Sequence, residues 1–136
     1  MKKVQRYVGA LMLLALAVVG FSACESDETI EERLFGRVWS GSIGELDDNN
    51  VPLFSDFQFT PDGFGTEDVY YPDGSWYDSY TFQWYWEDGY SNNLVLDFRR
   101  LGVSYMDNVY VGGRAMTGTY YYTNDSPGVP FRLQMR

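Results

Sequence analysis

The chain has 136 residues, a formal net charge of −9, no histidine and one cysteine. That inventory removes Ser-His-Asp and Cys-His nucleophile systems and the usual zinc ligand sets. The acidity argues against binding to nucleic acid or to anionic headgroups.

In chain order, Lys2, Lys3 and Arg6 come first, then an apolar run from Val8 to Phe21, then Ser22-Ala23-Cys24. Charged, apolar and small-residue regions in that order read as a secretory signal. The run falls short of the about 20 apolar residues of a membrane span. Phe21-Ser22-Ala23-Cys24 resembles the lipobox of bacterial lipoproteins, with Phe21 where that family usually has a leucine-like residue. The resemblance implies a diacylglycerol on Cys24, cleavage just before it, and an acyl chain such as palmitate on the new amino terminus. Residues 1–23 are then a leader, and Cys24 is the lipidation site that makes the membrane a partner. Each buried lipid CH₂ adds about 0.8 kcal/mol of membrane affinity. The alternative is an ordinary secretion signal ending near an incidental cysteine.

Without the leader the chain keeps seven arginines against nineteen carboxylates, a formal charge of −12. Residues 24–33 form an acidic tether, and five of the eight residues from Glu25 to Glu32 are acidic. Such a block is usually a solvated spacer. It also resembles the export signal that follows the lipidated cysteine in Bacteroidota-type surface lipoproteins. That implies an outer-membrane anchor facing the cell surface, with a periplasmic-facing anchor as the alternative.

Residues 30–35 suit a short helical turn, and residues 34–136 read as one domain. Abundant Tyr, Phe and Trp with glycine punctuation favour an all-β fold. Thr60-Pro61-Asp62-Gly63 and Tyr71-Pro72-Asp73-Gly74 are near-repeats that predict type I turns with a bulge. Further turns are expected at Asp47-Asp48-Asn49-Asn50, 88–92, 101–102 and 112–113, and a longer loop over 124–130. The intervals predict eight strands near 37–46, 52–60, 64–71, 75–87, 93–100, 103–111, 114–123 and 130–135.

Alternation assigns their faces. Trp76, Tyr80, Phe82, Trp84 and Trp86 point inward, with Tyr77, Ser79, Thr81, Gln83, Tyr85 and Glu87 outward. Phe57 and Phe59, Leu94, Leu96 and Phe98, and Phe131, Leu133 and Met135 also point inward. Strand 103–111 is ambiguous, because Tyr105, Val109 and Val111 share a side with Asp107. Eight such strands suit a single antiparallel up-and-down barrel without free edges, with a β-sandwich as the alternative.

Leu34-Phe35-Gly36 before Trp39, Phe57-Gln58-Phe59-Thr60-Pro61-Asp62-Gly63-Phe64-Gly65, Phe82-Gln83-Trp84, Leu94-Val95-Leu96 and Met116-Thr117-Gly118 resemble the small lipocalin-like lipoproteins of Bacteroidota over about residues 34–135. Arg37 and Val38 separate glycine from tryptophan, where lipocalins usually place one residue. The resemblance implies a calycin-like, lipocalin-like barrel with an apolar cavity.

No catalytic residue, metal ligand or cofactor is assigned, and the chain does not read as an enzyme. Glu67-Asp68, Asp78, Glu87-Asp88 and Asp97 read as solvated strand or turn residues. Asp47-Asp48-Asn49-Asn50 lacks the distal glutamate of a Ca²⁺ loop. Trp39, Phe57, Phe59, Phe82, Trp84 and Trp86 are the candidate ligand-binding residues of the barrel interior. So many rings also predict a mostly filled barrel. The expected function is a non-enzymatic binding domain for a small apolar or amphipathic ligand. The alternative is a surface module that binds a protein or glycan, with Tyr70, Tyr71, Tyr77, Tyr85 and Tyr121 stacking on sugar rings.

Overall fold

The computed structural model describes residues 30–88 and 92–136. Cys24, the leader and the tether up to residue 29 lie outside the described residues, as does the centre of the turn at 88–92. A one-turn helix, α1 (Ile30–Leu34), precedes eight strands. These are β1 (Trp39–Gly41), β2 (Phe54–Phe59), β3 (Phe64–Tyr70), β4 (Trp76–Trp86), β5 (Leu94–Asp97), β6 (Val103–Gly112), β7 (Ala115–Tyr121) and β8 (Val129–Met135). Each pairs antiparallel with the next, and β1 closes on β8 with Trp39 opposite Met135. The result is a closed up-and-down barrel, and the sandwich alternative is excluded.

The two Pro-Asp-Gly turns form as their residues dictate. Thr60 and Phe64 pair at 2.9 Å and Tyr71 and Ser75 at 2.8 Å, with Gly63 and Gly74 at φ 88° and 89°. One oxygen of Asp62 accepts the Phe64 amide, and one of Asp73 the Ser75 amide. These bonds, led by the Thr60 and Ser75 side chains, hold both carboxyls below their usual range. Asp47 likewise accepts the amides of Asn49 and Val51, at 2.8 and 2.9 Å.

β1 is shorter than the predicted 37–46. Gly44 turns the chain at φ 89°, and its Cβ position lies 2.9 Å from the Val129 side chain. The loop still tucks Ile43 into the core and bridges Leu46 to Pro52. β5 ends early because the chain turns through a 3-10 segment at Arg99–Leu101.

Two bulges set the faces that alternation misassigns or leaves open. On β4 the register jumps from Val69–Asp78 to Tyr70–Trp76, so Tyr77 is extra. The parity flips there, and Trp76 stands outside at 61 % exposure instead of inside. On β6 the register jumps between Asp107 and Tyr110, with Asn108 at φ 55°. Ser104 and Met106 face in before the bulge, and Val109 and Val111 after it. An extra residue bends a strand and shifts its period-2 pattern.

The core fills the end closed by α1. Trp39, Phe57, Phe59, Phe82 and Trp84 are buried, and Trp86 packs against them. Their rings lie 5.6–6.3 Å apart, from Phe57 through Phe59 and Phe82 to Trp84 and Trp86. The Phe82 ring lies over Gly65, where any Cβ would sit 2.4 Å from it. Each inner indole has a partner: Trp39 donates to the Leu34 carbonyl, Trp84 to those of Thr60 and Phe64, and Trp86 to the Glu31 carboxyl. Phe35 adds a ring 5.7 Å from Trp84. Arg33 ties α1 to the Val111 carbonyl at 3.1 Å. Such large, hydrogen-bonded aromatics dominate core energetics.

Candidate functional site

Toward the opposite end, the same inward positions change chemistry. β2 runs from Phe59 and Phe57 to Ser55, β4 from Trp84 and Phe82 to Tyr80, β6 from Met106 to Ser104, and β7 from Met116 to Tyr120. β3 contributes Glu67, which is 2 % exposed. Here the structure corrects the expectation that Glu67 is solvated, because its parity on β3 places it inside the barrel.

These residues surround a half-open cavity of about 160 Å³. Glu67, Tyr80, Ser104 and Tyr120 line its walls, Glu45 comes from the β1–β2 loop, and Phe98, Leu101 and Tyr122 form the rim. For scale, an apolar cavity of about 150 Å³ holds benzene. A second recess of about 410 Å³ shares Glu45, Tyr120 and Tyr122 and extends between Ile43–Leu46 and Ser126, Pro127 and Val129.

Ser55 Oγ donates to Glu67 Oε2 at 2.7 Å, and Glu45 is hydrogen-bonded to the same carboxyl. Burial, then the charge of Glu45, pushes Glu67 well above the usual carboxylate range, against the opposing Ser55 bond. A second carboxyl beside a buried one disfavours the charged form of the buried group. The Tyr120 hydroxyl donates to Ser104 Oγ at 3.2 Å, and Ser104 donates to the Tyr122 carbonyl at 2.8 Å. Burial raises the Tyr120 phenol, so it remains a donor. Burial, with Asp78 hydrogen-bonded beside it, pushes Tyr80 up to about 12. Phe98 meets Tyr80 edge-on at 6.2 Å and stacks obliquely on Phe82 at 5.2 Å, so the cavity lining is joined to the aromatic core through these rings.

None of the six rings assigned from sequence to ligand binding lines this space. Trp39, Phe57, Phe59, Phe82, Trp84 and Trp86 pack on one another below it. The residues that do line it were not singled out as a site. The available signal was Ser55 on the parity of Phe57, and Tyr80 on that of Phe82.

The outer face carries a second grouping. Phe54, Tyr70 and Trp76 stand in cross-strand register over β2, β3 and β4. Phe54, Tyr70 and Tyr71 border a surface recess with Asp56, which pairs with Arg136. Of the five tyrosines considered for glycan stacking, Tyr71 and Tyr77 meet edge-on at 5.4 Å, and Tyr70 adjoins Tyr71. Tyr85 pairs with Val95 and Tyr121 with Tyr105, elsewhere on the barrel. Among the described residues no group of three or more metal-ligating side chains gathers. The chain matches no family model, no curated protein and no solved structure.

Proposed function

We propose that this protein is an envelope-tethered, non-enzymatic binding barrel, which takes a small amphipathic molecule headgroup-first into the cup above its aromatic core. The observation that carries this reading is the change of lining along the barrel: a tightly packed apolar half beneath a half-open, hydrogen-bonding cavity that shares Glu45, Tyr120 and Tyr122 with a larger recess. Ligand sites are concave, with a few placed polar groups among apolar walls. The tether rests on the lipobox resemblance at Cys24, and the acidic segment after it favours display at the cell surface. The lack of histidine supports a binding role over hydrolytic chemistry.

The test uses the full chain in lipid nanodiscs, titrated calorimetrically with neutral short-chain amphiphiles such as hexanol and octyl glucoside. Saturable binding near one molecule per chain, lost in Tyr120→Trp, is the expected result. Heat that the folded variant reproduces is membrane partition and overturns the reading. Cys24→Ser is expected to block maturation and free the domain from membranes; a variant still processed and retained there removes the lipid tether.

The surface-module alternative has its own observation, the Phe54–Tyr70–Trp76 ladder beside Asp56 and Asp68. It gains if soluble oligosaccharides bind and Trp76→Ala abolishes that binding while the cup stays empty.

A further inference from the structure

We propose that the cup selects a cation: a protonated amine on a short aromatic or alkyl stem, its ammonium against Glu45 and Glu67 and its stem between Tyr80, Phe98 and Tyr120. This rests on reading the cup as a ligand site and names the charge class it accepts.

Four observations converge on that class. First, two carboxyls meet in a cavity where no arginine lines the wall. Glu67 is buried and Glu45 partly exposed; burying a carboxyl without a cationic partner is costly, and a perturbed carboxyl in a cleft is a candidate for a ligand to complete. Second, the remaining walls are rings. Tyr80, Phe98, Tyr120 and Tyr122 line the space, and aromatic faces attract ammonium groups. Third, the approach is anionic. The loops and turns at this end, 42–53, 71–75, 98–102 and 122–128, carry Glu45, Asp47, Asp48, Asp73 and Asp125 against only Arg99 and Arg100. Asp78 adds a carboxyl at the Tyr80 hydroxyl. A cleft lined by one sign of charge concentrates the opposite ion. Fourth, beyond the two carboxyls the lining is four rings, Leu101 and Ser104, a largely apolar wall that suits an organic stem.

The proton on Glu67 gives the binding a signature. The carboxyl faces Glu45 from the β1–β2 loop and Ser55 on β2, with Asp68 beside it on β3. Tyr80 on β4, Ser104 on β6, and Tyr120 and Tyr122 on and after β7 share its cavity, and the β5–β6 turn bears Arg99 and Arg100 outside the lining. At pH below the raised titration of Glu67, an ammonium entering beside it displaces the carboxyl proton to solvent. Affinity for the amine therefore rises as pH rises through the titration of Glu67.

The experiment titrates the full chain in nanodiscs with benzylamine, benzyl alcohol and benzoate, in two buffers of different ionisation enthalpy. Benzylamine is expected to bind about tenfold or more tighter than benzyl alcohol, the effect of one charge-assisted hydrogen bond, with benzoate weakest. Amine binding is expected to release a proton in the native protein but not in Glu67→Gln, which keeps a partner for Ser55 and loses the preference for amine. Glu45→Gln is the second variant, with near-ultraviolet circular dichroism checking the fold of both. Equal binding of benzyl alcohol overturns the charge preference and leaves the amphiphile reading standing. Tighter benzoate binding overturns it in favour of Arg99 and Arg100. Competition by Ca²⁺ assigns the carboxyls to a metal instead. If no probe binds while neutral amphiphiles do, the amine inference alone fails; if neither class binds, the cup reading fails with it.

Discussion

The two halves of this barrel are built by the same strands and obey opposite rules. In the half closed by α1, inward positions hold rings that pack at 5.6–6.3 Å, and each inner indole has a hydrogen-bond acceptor. In the open half they hold Glu67, Tyr80, Ser104 and Tyr120 around a cavity, with Ser55 hydrogen-bonded to Glu67. One barrel thus divides into a part that supplies stability and a part that carries polar groups at a cost. The division teaches where a small domain can place a site: above a core large enough to tolerate it.

The largest effect expected of that division lies in the closed half. Trp84→Ala deletes a ring 8 % exposed that touches Phe35, Phe59 and Trp86. It should cost about 3–5 kcal/mol in denaturant unfolding. Tyr85→Ala, one residue on and 53 % exposed, should cost about 0.5 kcal/mol or less. Similar costs for the two would erase the contrast between inside and outside on β4.

The open half should respond to pH where the closed half does not. The folded-state titration of Glu67 lies well above the 4.5 of a free glutamate, because burial and Glu45 disfavour its charge. The protonated carboxyl is therefore the form the fold prefers. Its contribution is fully present below the unfolded value and is lost as pH rises through the folded one. Between the two values, the free energy of unfolding should fall by up to about 1.4 kcal/mol per pH unit. Glu67→Gln should flatten that slope, whereas Trp84→Ala should lower stability by the same amount at every pH. A slope unchanged in Glu67→Gln would mean that another group carries it.

The inward faces of the closed half were legible in the sequence from aromatic alternation over Phe57–Phe59 and Phe82–Trp86, punctuated by two Pro-Asp-Gly turns, although that pattern left open both a sandwich and a ring-lined cavity. The open half was not. Ser55, Glu67 and Ser104 occupy inward parity, yet polar residues in a strand look the same whether they face a cavity or water. Their burial follows from closure, in which eight strands share one interior. Glu45 belongs to no strand, and only the fold of the β1–β2 loop brings it to Glu67. The bulge at Tyr77 left no mark, since one extra residue changes the face without changing the composition, and the one at Asn108 showed only as the ambiguous parity of residues 103–111.

The smallest expected effect tests one of those bulges. Trp76 and Trp84 lie eight residues apart on β4, and strict alternation puts both inside. The bulge at Tyr77 puts Trp76 outside, opposite Tyr70, where its indole donates to Ser79 Oγ at 2.9 Å and Ser79 in turn donates to Asp68 at 2.6 Å. An exposed cross-strand pair contributes about 0.2–1 kcal/mol. Trp76→Ala should therefore cost less than about 1 kcal/mol, with no change in near-ultraviolet signals from the packed rings. Its fluorescence should also be the most quenched by iodide, because the other three tryptophans are buried or packed against the core. A cost approaching that of Trp84→Ala would return Trp76 to the interior. Tyr77 would then be in register, the upper wall of the cup would be redrawn around an indole, and the boundary between the two halves would move up the barrel.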